Sequence, residues 1–199
     1  DYALVTGTGS LKYKLDFAGK STFTGTYTVE SGMVRYTPPL ISQKNFEITP
    51  GSSVTWTGDI LNPSLDLTAT ERVKTSVSVE DQGSTVVDFD ITAKIGGTLQ
   101  GIKPTFDLAA NNMNVESELQ SMSEVQRSQA AVNLLLYNTY SGTSSAGHIN
   151  NMTAGSALFS FLNSQLSDWA QKSLKGVVDL QLGINQFEGQ NHGGLQTSY

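Results

Sequence analysis

Up to about Ala110 the apolar residues recur at every second position. Leu11, Tyr13, Leu15 and Phe17 alternate with Ser10, Lys12, Lys14 and Asp16, and Phe23, Tyr27 and Val29 alternate with threonines and Glu30. Ser31-Gly32 reads as a turn into Met33–Tyr36, which Pro38-Pro39 ends. Val54 and Trp56 alternate with Thr55 and Thr57; Leu65, Leu67, Ala69 and Val73 alternate with Asp66, Thr68, Thr70, Arg72 and Lys74. After a turn at Asp81-Gln82-Gly83, Val87, Phe89, Ile91, Ala93 and Ile95 alternate with Asp88, Asp90, Thr92 and Lys94. Such alternation puts one dry and one wet face on each strand, the mark of an antiparallel sheet.

Two segments about forty residues apart share one pattern. Gly58-Asp59-Ile60-Leu61 leads into Asn62-Pro63-Ser64-Leu65-Asp66-Leu67-Thr68-Ala69, and Gly97-Thr98-Leu99-Gln100 leads, two residues later, into Lys103-Pro104-Thr105-Phe106-Asp107-Leu108-Ala109-Ala110. Each reads as a strand end, a Pro-bearing turn and a new strand. A unit of this kind cannot bury its apolar face alone, so units are expected to stack side by side.

The period changes after Asn111-Asn112. Ser123 with Gln126 forms a capping box, and Glu124 suits a helix N-terminus; this predicts a helix to about Asn138 with Val125, Val132, Leu135 and Leu136 on one stripe. A second helix is expected near 156–175, with Leu158, Phe161, Leu162, Leu166, Trp169, Ala170 and Leu174 on one face and Gly176 at its end. Between them a Ser/Gly/Asn-rich stretch near 141–155 reads as a mobile loop, and Val178–Ile184 returns to period two. The expected organisation is one domain over 1–199. Residues 1–111 and 176–199 are mainly β, and 112–175 is a helical insertion. The abrupt strand-like end at Leu195–Tyr199 suggests a piece of a longer protein.

Composition narrows the function classes. A chain of 199 residues buries roughly 70% of its unfolded surface, enough for a sizeable core. Its net charge of −6 and its dispersed Lys and Arg argue against nucleic acid, which demands clustered basic residues. There is no cysteine, which excludes disulfides, thiolate metal sites and a Cys nucleophile. No apolar run approaches the ~20 residues of a membrane-spanning helix.

Candidate chemistry is thin. His148 and His192 stand in Gly/Asn-rich stretches with no partner at ligand spacing, so loop histidine is the preferred reading of both. Gly142-Thr143-Ser144-Ser145-Ala146 lacks the closing glycine of a nucleophile elbow. Asp88 and Asp90, about 6.5–7 Å apart on a strand, have the spacing of an inverting glycosidase pair. Their face also carries Thr92 and Lys94 and no aromatic platform, which favours a solvated face. Glu80–Gly83 is too short for a calcium loop, and Asn151-Met152-Thr153 is a sequon of the kind that occurs by chance. The expectation is no enzyme, no metal and no cofactor.

The remaining candidate is the dry face itself. Its members are Leu11, Tyr13, Leu15, Phe17, Phe23, Tyr27, Val29, Val54, Trp56, Leu65, Leu67, Val87, Phe89, Ile91, Phe106 and Leu108. They form either an ordinary closed core or the lining of an elongated trough around which the sheet curls.

The chain resembles the C-terminal domain of the TamB family, the translocation and assembly module component of Gram-negative envelopes. The likeness lies in Gly25–Gly32 (GTYTVESG), Pro50–Ile60 (PGSSVTWTGDI), the repeated Pro-bearing strand, and Glu124–Gly142 (EVQRSQAAVNLLLYNTYSG). It covers about Gly9 to Ile184. The fold expected from the patterns above is mainly β, a taco-like or half-barrel curved antiparallel sheet with an apolar concave face, plus two amphipathic helices. The resemblance implies that this repeated β structure forms an apolar groove. It also implies a periplasmic place at the outer-membrane end of an inner-membrane-anchored protein. The implied role is in outer-membrane protein assembly, phospholipid transport between membranes, or both. The implied partners are an Omp85-type outer-membrane protein and, as cargo, phospholipid acyl chains or unfolded outer-membrane proteins. The final strands of the family's domain are missing from the pattern. The competing class is a compact β-sandwich that recognises protein or carbohydrate through its loops, for which Tyr140 is the clearest loop aromatic.

Overall fold

A computed structural model describes residues 2–37, 43–79 and 83–140, with the single positions 142, 164 and 168. The helix expected near 156–175, the strand at 178–184, both histidines and the sequon lie outside the described residues. So does most of the loop near 141–155.

Among the described residues seven strands form one antiparallel sheet: β1 (Tyr2–Leu15), β2 (Ser21–Tyr36), β3 (Lys44–Ile48), β4 (Ser53–Gly58), β5 (Ser64–Val79), β6 (Gly83–Thr98) and β7 (Gly101–Ala110). The sheet is curved without closing into a barrel. β3 and β4 lie end to end between β2 and β5, so they act as one interrupted strand. Pro50 and Gly51 (φ 91°) make the interruption, and Ser52 fastens it to β5. The buried Ser52 hydroxyl donates to Thr49 O at 2.7 Å and accepts from Thr68 N–H at 3.1 Å. Those bonds replace ladder bonds that the irregular backbone cannot make, and the bend they permit is the usual effect of a bulge.

A second irregularity crosses β2 at the same level. Thr6 pairs with Ser31 and Gly7 with Val29, leaving Glu30 unpaired. Below it Phe23, Tyr27 and Val29 point inward; above it Gly32 and Val34 do. The expected turn at Ser31-Gly32 is therefore corrected: the chain runs straight through as β2, and the change of parity that looked like a turn is the bulge.

The repeated segments do stack. Leu99 N–H donates to Pro63 O at 2.9 Å and Gln100 N–H to Asn62 Oδ1 at 3.0 Å, joining the turn after β4 to the turn after β6. In the second copy, however, Lys103-Pro104 lies inside β7 rather than in the turn, with Pro104 opposite Ile95. Proline is tolerated there because β7 pairs only with β6 among the described residues, so the missing N–H interrupts no ladder.

Two helices follow. α1 (Met113–Ser121) starts at Asn112, whose side chain accepts from Asn114 and Val115 N–H; Glu116 ties it to the sheet by accepting from Ala110 N–H at 2.7 Å. Sequence periodicity missed this helix, because only Val115 and Leu119 mark its inner face. α2 (Glu124–Tyr137) begins with the expected capping box of Ser123 and Gln126 and ends at Asn138 in the left-handed region (φ 53°). Its buried face is Ala130, Ala131, Val132, Leu134 and Leu135. Val125, assigned to the inner stripe from the sequence, is 76% exposed, because α2 engages the core only through its later turns.

Candidate functional site

The dry face resolves into two apolar clusters that meet at Tyr27. At the helix-covered end Val87, Phe89 and Ile91 of β6, all with no exposed surface, pack with Phe106 and Leu108 of β7 and Val29 of β2. Val115 and Leu119 of α1 and the inner face of α2 complete this cluster, together with Phe46 and Ile48 of β3. At the other end Phe23, Val54, Trp56, Leu65 and Ile95 are buried, with Leu11, Leu67, Ile60 and Ile102 packed at their fringe. Phe23 and Trp56 meet edge to face at 5.3 Å, and the Trp56 indole N–H donates to Ile60 O at 3.1 Å. Tyr27 is half-buried across β1, where a side chain at Gly7 or Gly9 would collide with its ring.

Three of the residues assigned to the dry face are exposed, two of which, Tyr13 and Leu15, keep its parity, with Tyr13 opposite the buried Phe23. Phe17 sits in the turn between β1 and β2 and is fully exposed; Leu15 is 60% and Tyr13 42% exposed near the end of the edge strand. Alternation carries a strand reading into its turn because nothing in the pattern marks where pairing stops. Here it stops at Leu15↔Ser21.

Glu71 was passed over in the sequence, although its parity on β5 is that of Ala69 and Val73. It lies opposite Ile91, and one carboxylate oxygen is buried without a hydrogen-bond partner. Burial raises its pKa, against the opposing charge of Lys44 and the Asn45 backbone N–H that it accepts. The pairing of β3 with β5 stops at Glu47↔Thr70, next to this side chain. The signal in the sequence was a carboxylate at an inward position between two apolar residues.

The wet face explains the paired carboxylates. Asp90 receives the Arg72 guanidinium in a two-pronged contact at 2.7 and 3.2 Å, and Asp88 lies 3.6 Å from the Lys74 amine, each pair directly opposite across β5 and β6. That is a solvated ladder of cross-strand ion pairs. Among the described residues no group of three His, Cys, Asp or Glu side chains could hold a metal ion.

Tyr140 is corrected as well. Its ring stacks on Phe89 at 4.9 Å and its hydroxyl donates to Glu118 Oε2 at 3.0 Å. Burial, and then the Glu118 charge, push its phenol above the usual range. Thr75 Oγ1 donates to Asn138 O at 2.8 Å, so the chain leaving α2 is fastened across β5 and β6. The described strands form one sheet, not two facing ones.

Set against known proteins, the family model for the TamB C-terminal domain matches residues 2–198. No match was found among curated proteins or solved structures. No described helix is long and apolar enough to cross a membrane.

Proposed function

Because the chain belongs to the TamB family, a non-enzymatic component of outer-membrane assembly and envelope transport, we propose that its dry sheet face lines a trough for apolar cargo. The trough would stand at the outer-membrane end of a periplasmic conduit, beside an Omp85-type partner. The observation that supports this reading is the continuity of the face. Inward side chains run from Leu11 on β1 through Tyr27, Trp56 and Leu65 to Ile95, with Tyr27 joining the two clusters. Among the described residues the helices cover one end only, and the fringe residues Leu11, Tyr27 and Leu67 are half-exposed at the other. Acyl chains suit such a surface: each buried CH₂ contributes about 0.8 kcal/mol, so a chain of roughly sixteen carbons gains on the order of 10 kcal/mol before ordering costs.

A second reading, with an unfolded outer-membrane strand as cargo, rests on β1. Among the described residues it pairs only with β2, leaving a fourteen-residue edge that offers its backbone for strand addition. Photo-crosslinkers at Leu11, Tyr27 and Leu67 of the full-length protein in cells separate the two. Lipid adducts there, absent at outward Thr26, Thr57 and Asp90, support lipid conduction. Adducts with nascent outer-membrane proteins alone favour strand capture, and no adduct at any inward site refutes the trough.

A further inference from the structure

The turns at 16–20, 59–63 and 99–100 all lie on one rim of the sheet, because β1–β2, β4–β5 and β6–β7 each close at that end. Two of these turns are folded by an aspartate that spends its carboxylate on the backbone. Asp16 Oδ1 accepts from Ala18 and Lys20 N–H at 2.9 and 2.8 Å, while Gly19 (φ 81°) donates to Asp16 O. Asp59 Oδ1 accepts from Leu61 N–H at 2.9 Å. Each turn is thus closed by polar contacts that do not involve its apolar side chain. Phe17 is fully exposed at the first and Leu61 49% exposed at the second.

A single exposed hydrophobe needs no explanation, but a set gathered on one rim does. Leu15 and Tyr13 extend the patch down the edge strand from Phe17. Around it stand Lys12, Lys14 and Lys20, all exposed and, among the described residues, outside every ion pair. Residues 11–23 hold three lysines against one aspartate, in a chain whose net charge is −6. An aromatic tip flanked by three lysines on an otherwise acidic protein, with the aliphatic tip Leu61 on the same rim beside the backbone-bonded Asp59, is complementary to one kind of surface: apolar below a negatively charged layer.

We propose that this rim docks on an anionic phospholipid bilayer. Phe17 and Leu61 insert at the level of the headgroup–acyl boundary, and Lys12, Lys14 and Lys20 rest on the phosphates. The hydrogen-bonded turns hold both tips ready for insertion, so docking requires no refolding. The inserting tips Phe17 and Leu61 lie in turns outside the strands that line the trough, and the test does not depend on what the trough carries.

The test is vesicle flotation with the full chain, using phosphatidylethanolamine vesicles with and without phosphatidylglycerol. The wild type is expected to float with the anionic vesicles and to be released by salt. Phe17→Ser with Leu61→Ser should weaken partitioning at least about tenfold, since two apolar side chains no longer leave water. Lys12→Gln with Lys14→Gln should abolish the preference for phosphatidylglycerol. Val86→Ser, exposed at the opposite end of β6, should change nothing. Because Phe17 and Leu61 are exposed, their variants should keep the wild-type circular dichroism, which rules out unfolding as the cause of a loss. Failure of the wild type to float, or undiminished flotation of the Phe17/Leu61 variant, overturns the proposal. So does a self-association seen by light scattering that the same variant abolishes without any vesicle binding, which would make the rim a contact between copies.

Discussion

Replacing Phe89 by alanine tests whether the segment leaving α2 is locked over the sheet. Phe89 has no exposed surface, and its ring meets that of Tyr140 at 4.9 Å with a 32° tilt. Truncating a buried Phe costs about 3–5 kcal/mol from lost transfer energy and the cavity left behind. The ring pair accounts for about 0.5–1.5 kcal/mol beyond area burial. With Ala131 and Leu134 of α2 also fully buried in this cluster, collapse of the site is limited, so the upper part of the range is expected, about 4–5 kcal/mol. For a chain of this length each kcal/mol moves the melting midpoint by roughly 2–4 °C, giving a fall of about 10–15 °C. Urea unfolding followed by tryptophan fluorescence should show a lowered midpoint with an unchanged slope. In a Tyr140→Ala background the same substitution should cost less by about the ring-pair energy. A loss under about 1.5 kcal/mol, or strict additivity of the two changes, would refute the idea that this segment is packed on β6.

Two further expectations concern polar groups on or beside the dry face. Glu71 has a folded pKa raised by burial, so its protonated form favours folding; that stability is fully present below the unfolded pKa and is lost as pH rises through the folded one. Glu71→Gln should therefore raise the urea midpoint at neutral pH and flatten the pH dependence just above the ordinary carboxylate range. A lowered midpoint at neutral pH would show that the Lys44 and Asn45 contacts outweigh desolvation. Ser52→Ala leaves Thr68 N–H without its partner inside the sheet and should cost about 1–3 kcal/mol in the same assay, whereas a neutral result would mean that β4 and β5 can close the gap themselves.

What could be read from the sequence follows from how locally each feature is encoded. The inward residues of β5 to β7 were legible because a strict two-residue period has a single structural meaning where a sheet is dry on one side. The start of α2 was legible too, since Ser123 and Gln126 satisfy each other within one turn. Features set by a partner strand were not. Glu30 is a bulge only because of how β1 pairs with β2, and Pro104 is a strand residue only because β7 pairs on one side. Helix α1 carries too few apolar positions to announce itself, and the inward place of Glu71 was visible only as a break in an apolar series. On the dry face parity was legible and accessibility was not: nothing local distinguishes Phe23, buried against Trp56, from Phe17, fully exposed in its turn.

The unpaired Glu30 has a consequence for how such a domain can change over time. Above it the even-numbered residues of β2 face inward, and below it the odd-numbered ones do. Loss of Glu30 alone would leave Val29 and Ser31 adjacent, so Tyr27, Val29, Gly32 and Val34 would all keep their inward places in a plain two-residue alternation paired one for one with β1. One residue lost or gained elsewhere in the strand would instead turn part of it outward. Elsewhere in this strand insertions and deletions are therefore tolerated in pairs and punished singly, as a reading frame restricts a coding sequence, and Glu30 is the position where a single loss leaves the frame intact.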